Sequence, residues 1–219
     1  MIALKYENYR DQLSSQGVTL VAVSKFQPVE AIQAAYDAGC RDFGENYVQE
    51  LVDKQRQLPS DIAWHLIGHL QTNKVKYIAP FVHLIQSVDS RKLLVEIQKQ
   101  ADKHQRTISV LLQVQIAKED TKTGMGEEEV LDILQDLSLF PNIAFRGLMG
   151  MASFSEDMAQ VRAEFQQLKA LFDHVVSCGA PTEFREISMG MSGDWAVAVE
   201  EGSTLVRIGS AIFGERNTN

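Results

Sequence analysis

Short apolar runs recur along this chain, each followed by a segment of helical spacing, and that alternation limits the possible folds more than any other feature. The runs are Val18 to Ser24, Arg41 to Gly44, Ile62 to Ile67, Val82 to Val88, Ile108 to Val114, Ile143 to Met149, Phe184 to Ser188 and Thr204 to Ile208. Most are continuously apolar, the pattern of strands covered on both faces. Between them, Val29, Ile32 and Tyr36 follow Pro28 at helical spacing, and Leu93, Leu94, Ile97 and Ala101 follow a capping Ser90. Glu127, Glu128 and Glu129 open another helix, where the dipole favours acid. The longest predicted helix runs from Ser155 to Val176. Eight strands with helices between them predict a parallel α/β fold. A (β/α)8 TIM-type barrel suits eight units, with an open doubly wound sheet as the alternative. Ile2 to Gln16 precedes the first strand and predicts an extra N-terminal helix. No linker, repeat or low-complexity stretch interrupts the pattern, so residues 1–219 are expected to form a single domain.

Composition narrows the partners. The net charge of −8 repels nucleic-acid phosphate, so no nucleic-acid partner is expected. Cys40 and Cys178 are too few for a disulfide framework. The first ten residues carry Lys5, Glu7 and Arg10, which argues against a signal peptide, and no apolar run reaches the ~18 residues of a membrane span. The expected location is cytoplasmic, with no membrane partner.

The chemistry gathers at strand ends. The first run closes on Val-Ala-Val-Ser-Lys, which places Lys25 where a barrel carries its function. Partial desolvation there would free its amine for attack on an aldehyde. Alone, Lys25 reads first as a lysine carrying its charge out to solvent. The last run leads into Arg207-Ile208-Gly209-Ser210, and the one before it into Ser188-Met189-Gly190-Met191-Ser192-Gly193-Asp194. Each is a strand followed by a small, hydroxyl-bearing loop and a helix start, a pattern that suits phosphate. Gly44-Glu45-Asn46 and the stretch from His65 to Lys74 form two further polar clusters. His65 and His69 are four apart, but His65 is in a strand and Gly68 intervenes, so the spacing yields no ligand pair and no metal is expected. His65 is expected inside the barrel, near the lysine.

These segments, in order, resemble the pyridoxal phosphate homeostasis family. The resemblance rests on residues 21–25, Phe-Gly-Glu-Asn at 43–46, His65 to Lys74, Ser87-Val88-Asp89, residues 147–151, Ser188 to Asp194 and Val206 to Gly214, and it covers almost the whole chain. It implies a fold-type III barrel like the alanine racemase N-terminal domain, with pyridoxal 5′-phosphate (PLP) held as a Schiff base on Lys25. It further implies phosphate contacts from Ser192, Gly209 and Ser210, Arg207 facing the pyridine nitrogen, and Asn46 and His65 beside the ring. One position departs from the family pattern: Gln115 stands where Asn is usual.

The implied role is intracellular PLP (vitamin B6) homeostasis without robust turnover, with apo PLP-dependent enzymes as recipients of the cofactor. Arg207 stays protonated and so cannot give the ring nitrogen a proton. Racemisation by two bases needs a second acid/base opposite Lys25, which the racemases take from a further C-terminal domain. This sequence stops at Asn219, soon after the last strand, and a monomer is expected. The rival readings are a small PLP-dependent racemase or amino-acid lyase, and a sugar-phosphate barrel enzyme using Lys25.

Overall fold

In the computed structural model, residues 1–117 and 123–214 are described. Eight parallel strands close into a barrel in the order β1 to β8. They are β1 (Thr19–Val23), β2 (Asp42–Glu45), β3 (Ala63–Leu66), β4 (Leu84–Val88), β5 (Ile108–Val114), β6 (Ile143–Gly150), β7 (Glu186–Ser188) and β8 (Leu205–Ile208). Closure is direct: Thr19 to Ala22 pair with Leu205 to Ile208. The expected (β/α)8 barrel is therefore present, and the open sheet is not.

The helices are α1 (Ile2–Ser14), α2 (Val29–Asp37), α3 (Val48–Gln55), α4 (Val75–Ile78), α5 (Arg91–Lys103), α6 (Glu127–Gln135), α7 (Met158–Ser177), α8 (Trp195–Glu200) and α9 (Ser210–Phe213). The expected N-terminal helix is α1, which buries Tyr6 and Leu13. Ser90 caps α5 by accepting the Leu93 N–H, and Asp157 caps α7 by accepting from Ala159 and Gln160. Their apolar faces pack on the outside of the barrel, as Leu94, Ile97, Phe165 and Leu168 show. No described helix is long and apolar enough to cross a membrane.

The barrel interior holds two kinds of filling. Val21, Leu84, Leu111, Met149 and Leu205 form a small apolar cluster. Beside it runs a buried polar series, His65, Gln86, Ser188 and Arg207, from β3, β4, β7 and β8. Buried polar groups are tolerable only when hydrogen-bonded, and these four bond to one another. That series points to the end of the barrel where the strands finish.

Candidate functional site

Lys25, Asn46, Ser192, Arg207, Gly209 and Ser210 line one cleft of about 410 Å3 at the C-terminal ends of the strands. Its volume lies in the usual range for a small-ligand site, ~300–1,000 Å3. Ile67, Met151 and Met191 add apolar wall, and the exposed Phe154 stands at the margin.

Lys25 sits two residues beyond the end of β1, in a turn. The turn is fastened from behind. Ser24 is buried and donates its Oγ–H to Glu45 Oε1 at 2.6 Å. Lys54, on α3, reaches inward and donates to the Ser24 carbonyl at 2.7 Å, to Glu45 Oε1 at 2.8 Å and to Glu50 Oε1 at 2.6 Å. Glu50 in turn accepts the Phe26 N–H at 2.6 Å. Phe26 has φ of 62°, left-handed backbone that a side chain of its size adopts only when its surroundings impose it. One buried ammonium thus serves two carboxylates and a carbonyl next to Lys25. Burial pushes the Glu45 carboxyl up to about 7, against the pull of Lys54 and Ser24. Glu45 Oε2 is buried with no hydrogen-bond partner, which agrees with that direction.

The opposite wall is built on one cation with neutral partners. Arg207 is 4% exposed. Its Nη1 donates to Ser188 Oγ and its Nη2 to the Gly150 carbonyl, the latter at 3.0 Å. Ser188 Oγ donates to Gln86 Oε1 at 2.6 Å. Burial lowers the Arg207 guanidinium to about 10, with Asp194 opposing, so it remains a cation at neutral pH. No carboxylate among the described residues forms an ion pair with it. A buried cation with no directly paired carboxylate, Asp194 acting on it only at a distance, suits a ligand that brings acceptors.

The loops after β7 and β8 complete that wall. Gly190 has φ of +93°, and a Cβ there would lie 2.6 Å from Ala198 Cβ, so only glycine fits the turn. The Gly209 N–H points to Ser192 Oγ at 3.4 Å, which brings both phosphate candidates side by side. Asn46 is held near them by close approach of chains, since a Cβ on Gly68 would lie 2.3 Å from the Asn46 carbonyl oxygen.

His65 is elsewhere. It is 2% exposed in the barrel interior and does not line the cleft. Its ring nitrogens meet Asp42 Oδ1 and Gln86 Nε2, each at 3.0 Å. It touches the site only through Gln86 and Ser188. Any contact between His65 and a ligand in the cleft would run through Gln86 and Ser188. Gln115 is also outside the cleft; it is exposed just past β5, and its N–H donates to the Met125 carbonyl at 3.0 Å. The stretch after it runs into residues 118–122, outside the described residues.

Lys54, Glu50 and Gln86 were not singled out by sequence. Lys54 and Glu50 are four apart on a helix and read as an exposed i,i+4 pair. Nothing local signals that the helix turns them toward β1.

Comparison with known proteins places this geometry. The profile of the alanine racemase N-terminal domain matches residues 2–217. The pyridoxal phosphate homeostasis protein of Pasteurella multocida is 40% identical over 205 residues, 91% of this chain and 87% of that protein. The human protein of the same name is 40% identical over 210 residues, 90% and 76% of the respective chains. Among solved structures, PipY of Synechococcus elongatus with PLP bound has a TM-score of 0.89 at 38% identity, covering 98% of this chain and 100% of that one. Alanine racemase from Bartonella henselae has a TM-score of 0.77 at 19% identity, covering 99% of this chain and 60% of the racemase, a likeness of fold.

Proposed function

This chain belongs to the pyridoxal phosphate homeostasis family, within the alanine racemase N-terminal domain class, and from that premise we propose that it binds PLP in the Lys25 cleft and handles the cofactor without robust turnover. The observation that carries the reading is the convergence in one cleft of an amine, Lys25, with a buried cation, Arg207, and the small loop residues Ser192, Gly209 and Ser210. The residues fit the group. When bound, PLP supplies an aldehyde that condenses with a lysine amine and a phosphate dianion that needs several donors.

Ser192, Gly209 and Ser210 hold the phosphate in this assignment, through hydroxyls and a backbone N–H. Arg207 donates toward the ring and keeps its own proton. Asn46 borders the ring on the β2 side. Lys25 provides the amine, and the Glu45–Lys54–Glu50 cluster keeps its turn in place. His65 acts at one remove, by orienting Gln86 and so Ser188.

The lining of the cleft supports handling over two-base chemistry. Its ionisable residues are Lys25, Asp194 and Arg207. Asp194 already accepts the Met191 N–H. A guanidinium does not serve as a base at neutral pH. No tyrosine, histidine or cysteine lines the cleft among the described residues, so Lys25 has no evident opposite number. Release to an apo-enzyme would require a competing amine to take the aldehyde from Lys25, freeing its amine, and the phosphate to leave Ser192, Gly209 and Ser210.

The test is twofold. The purified protein should retain one equivalent of PLP through gel filtration and restore activity to an apo-transaminase. It should interconvert L- and D-alanine no faster than free cofactor. Failure to retain PLP would overturn the binding assignment, and sustained racemisation would favour a small racemase instead.

A further inference from the structure

The end of the barrel opposite the cleft carries a second set of chemical groups, of which the PLP reading uses only His65, and that at one remove. Asp42 opens β2, His65 lies on β3, and His83 immediately precedes β4. Each offers a ligand atom, and these atoms all lie within 4.8 Å of one another. Asp42 Oδ1 and His65 Nε2 are 3.0 Å apart, and the two imidazole rings are 5.4 Å apart between centroids. We propose that Asp42, His65 and His83 form a binding site for a first-row divalent cation of the zinc class on the N-terminal rim of the barrel.

The donor set decides the class of ion. Two imidazoles and one carboxylate suit zinc and its neighbours, whereas calcium and magnesium prefer oxygen donors throughout. Three protein ligands leave a fourth position for water. A tetrahedral ion with bonds of about 2.0–2.2 Å holds its ligand atoms about 3.4 Å apart. His65 and Asp42 need to separate by only a few tenths of an ångström to meet that spacing. His83 is exposed on a turn, so its side chain can swing in.

The surroundings support the assignment. A metal-bound imidazole fixes its other nitrogen on a neighbouring acceptor. Here that nitrogen, His65 Nδ1, faces the Gln86 side-chain amide at 3.0 Å. As placed, Gln86 Nε2 donates to Nδ1. An ion on His65 Nε2 requires the amide to turn, so that Oε1 accepts an Nδ1–H and Gln86 Nε2 donates to Ser188 Oγ in place of the present Ser188 Oγ–H to Oε1 bond. His65 is buried and cannot leave the site, while Asp42 and His83 are reachable from solvent. Glu186, at the start of β7, lies at the same end, and its carboxylate is paired through Oε1 with Arg146 at 3.0 Å, so the two leave the rim no net charge.

The experiment is zinc titration of the PLP-loaded protein after dialysis against a chelator, by calorimetry, with metal content measured after desalting. One equivalent should bind to the wild type. His83→Ala and Asp42→Asn should each weaken it at least about tenfold. His174→Ala, which breaks up the exposed His174–Cys178 pair, should leave it unchanged. Absence of a stoichiometric equivalent, wild-type affinity in His83→Ala, or loss of zinc in His174→Ala would each overturn the proposal.

Discussion

The two walls of the Lys25 cleft are held by different chemistry. The β1 wall is braced by ionisable groups, with Lys54 between Glu45 and Glu50 and against the Ser24 carbonyl. The β8 wall is braced by a single cation and neutral partners, Ser188, Gln86 and the Gly150 carbonyl. A buried ionic brace is intolerant of losing one member and responds to pH. A brace of one cation on neutral partners should lose less when a partner is cut and should respond little to pH. The difference fits the two tasks. Under the proposed function, the β1 wall fixes a strained turn beside the amine of Lys25, whereas the β8 wall presents the Arg207 cation to the ligand.

Lys54→Met breaks the comparison hardest. It strands Glu45 and Glu50 without their cation, and a loss of about 3–5 kcal/mol is expected in urea unfolding. Ser188→Ala on the other wall should cost about 1–3 kcal/mol, because Arg207 and Gln86 each lose a partner but no charge pair is split. Equal losses would show that the walls are not differently built.

The pH dependence sharpens the same contrast. Glu45 in the folded protein is raised to about 7, above its ordinary value of 4.5. The folded state therefore holds the proton more tightly than the unfolded chain. The stability this contributes is complete below about pH 4.5, declines as pH rises, and is gone above about pH 7, a change on the order of 1–3 kcal/mol. Glu45→Gln should remove that slope, as read from unfolding midpoints across pH 5 to 8. A slope that survives the substitution would assign the titration to another group. The smallest effect is expected from Ser192→Ala, which removes one hydroxyl from the phosphate candidates and should weaken PLP binding by roughly fivefold, about 1 kcal/mol.

How much of this the sequence disclosed depended on distance along the chain. The loop positions Lys25, Ser192, Gly209 and Ser210 were legible because each follows an apolar run, whereas Arg207, inside β8, was singled out only by the family resemblance. Element limits were also close: the predicted Arg41 to Gly44 is observed as Asp42–Glu45, and the helix expected from Ser155 to Val176 as Met158–Ser177. Lys54 was hidden because charge on an amphipathic helix ordinarily marks the solvent face. The placement of His65 was hidden for another reason. Its partners Asp42 and Gln86 are 23 and 21 residues away, and only the closed barrel brings them together. The short α4, four residues long, has too few positions to show a period at all.

The central claim is that the β1 wall exists to hold one particular amine. Reduction of the PLP-loaded protein with borohydride, followed by peptide mapping, tests it directly. The cofactor mass is expected on Lys25 alone, with none on the buried Lys54. Label on any other lysine, or a protein that takes up PLP yet traps none, would contradict the account.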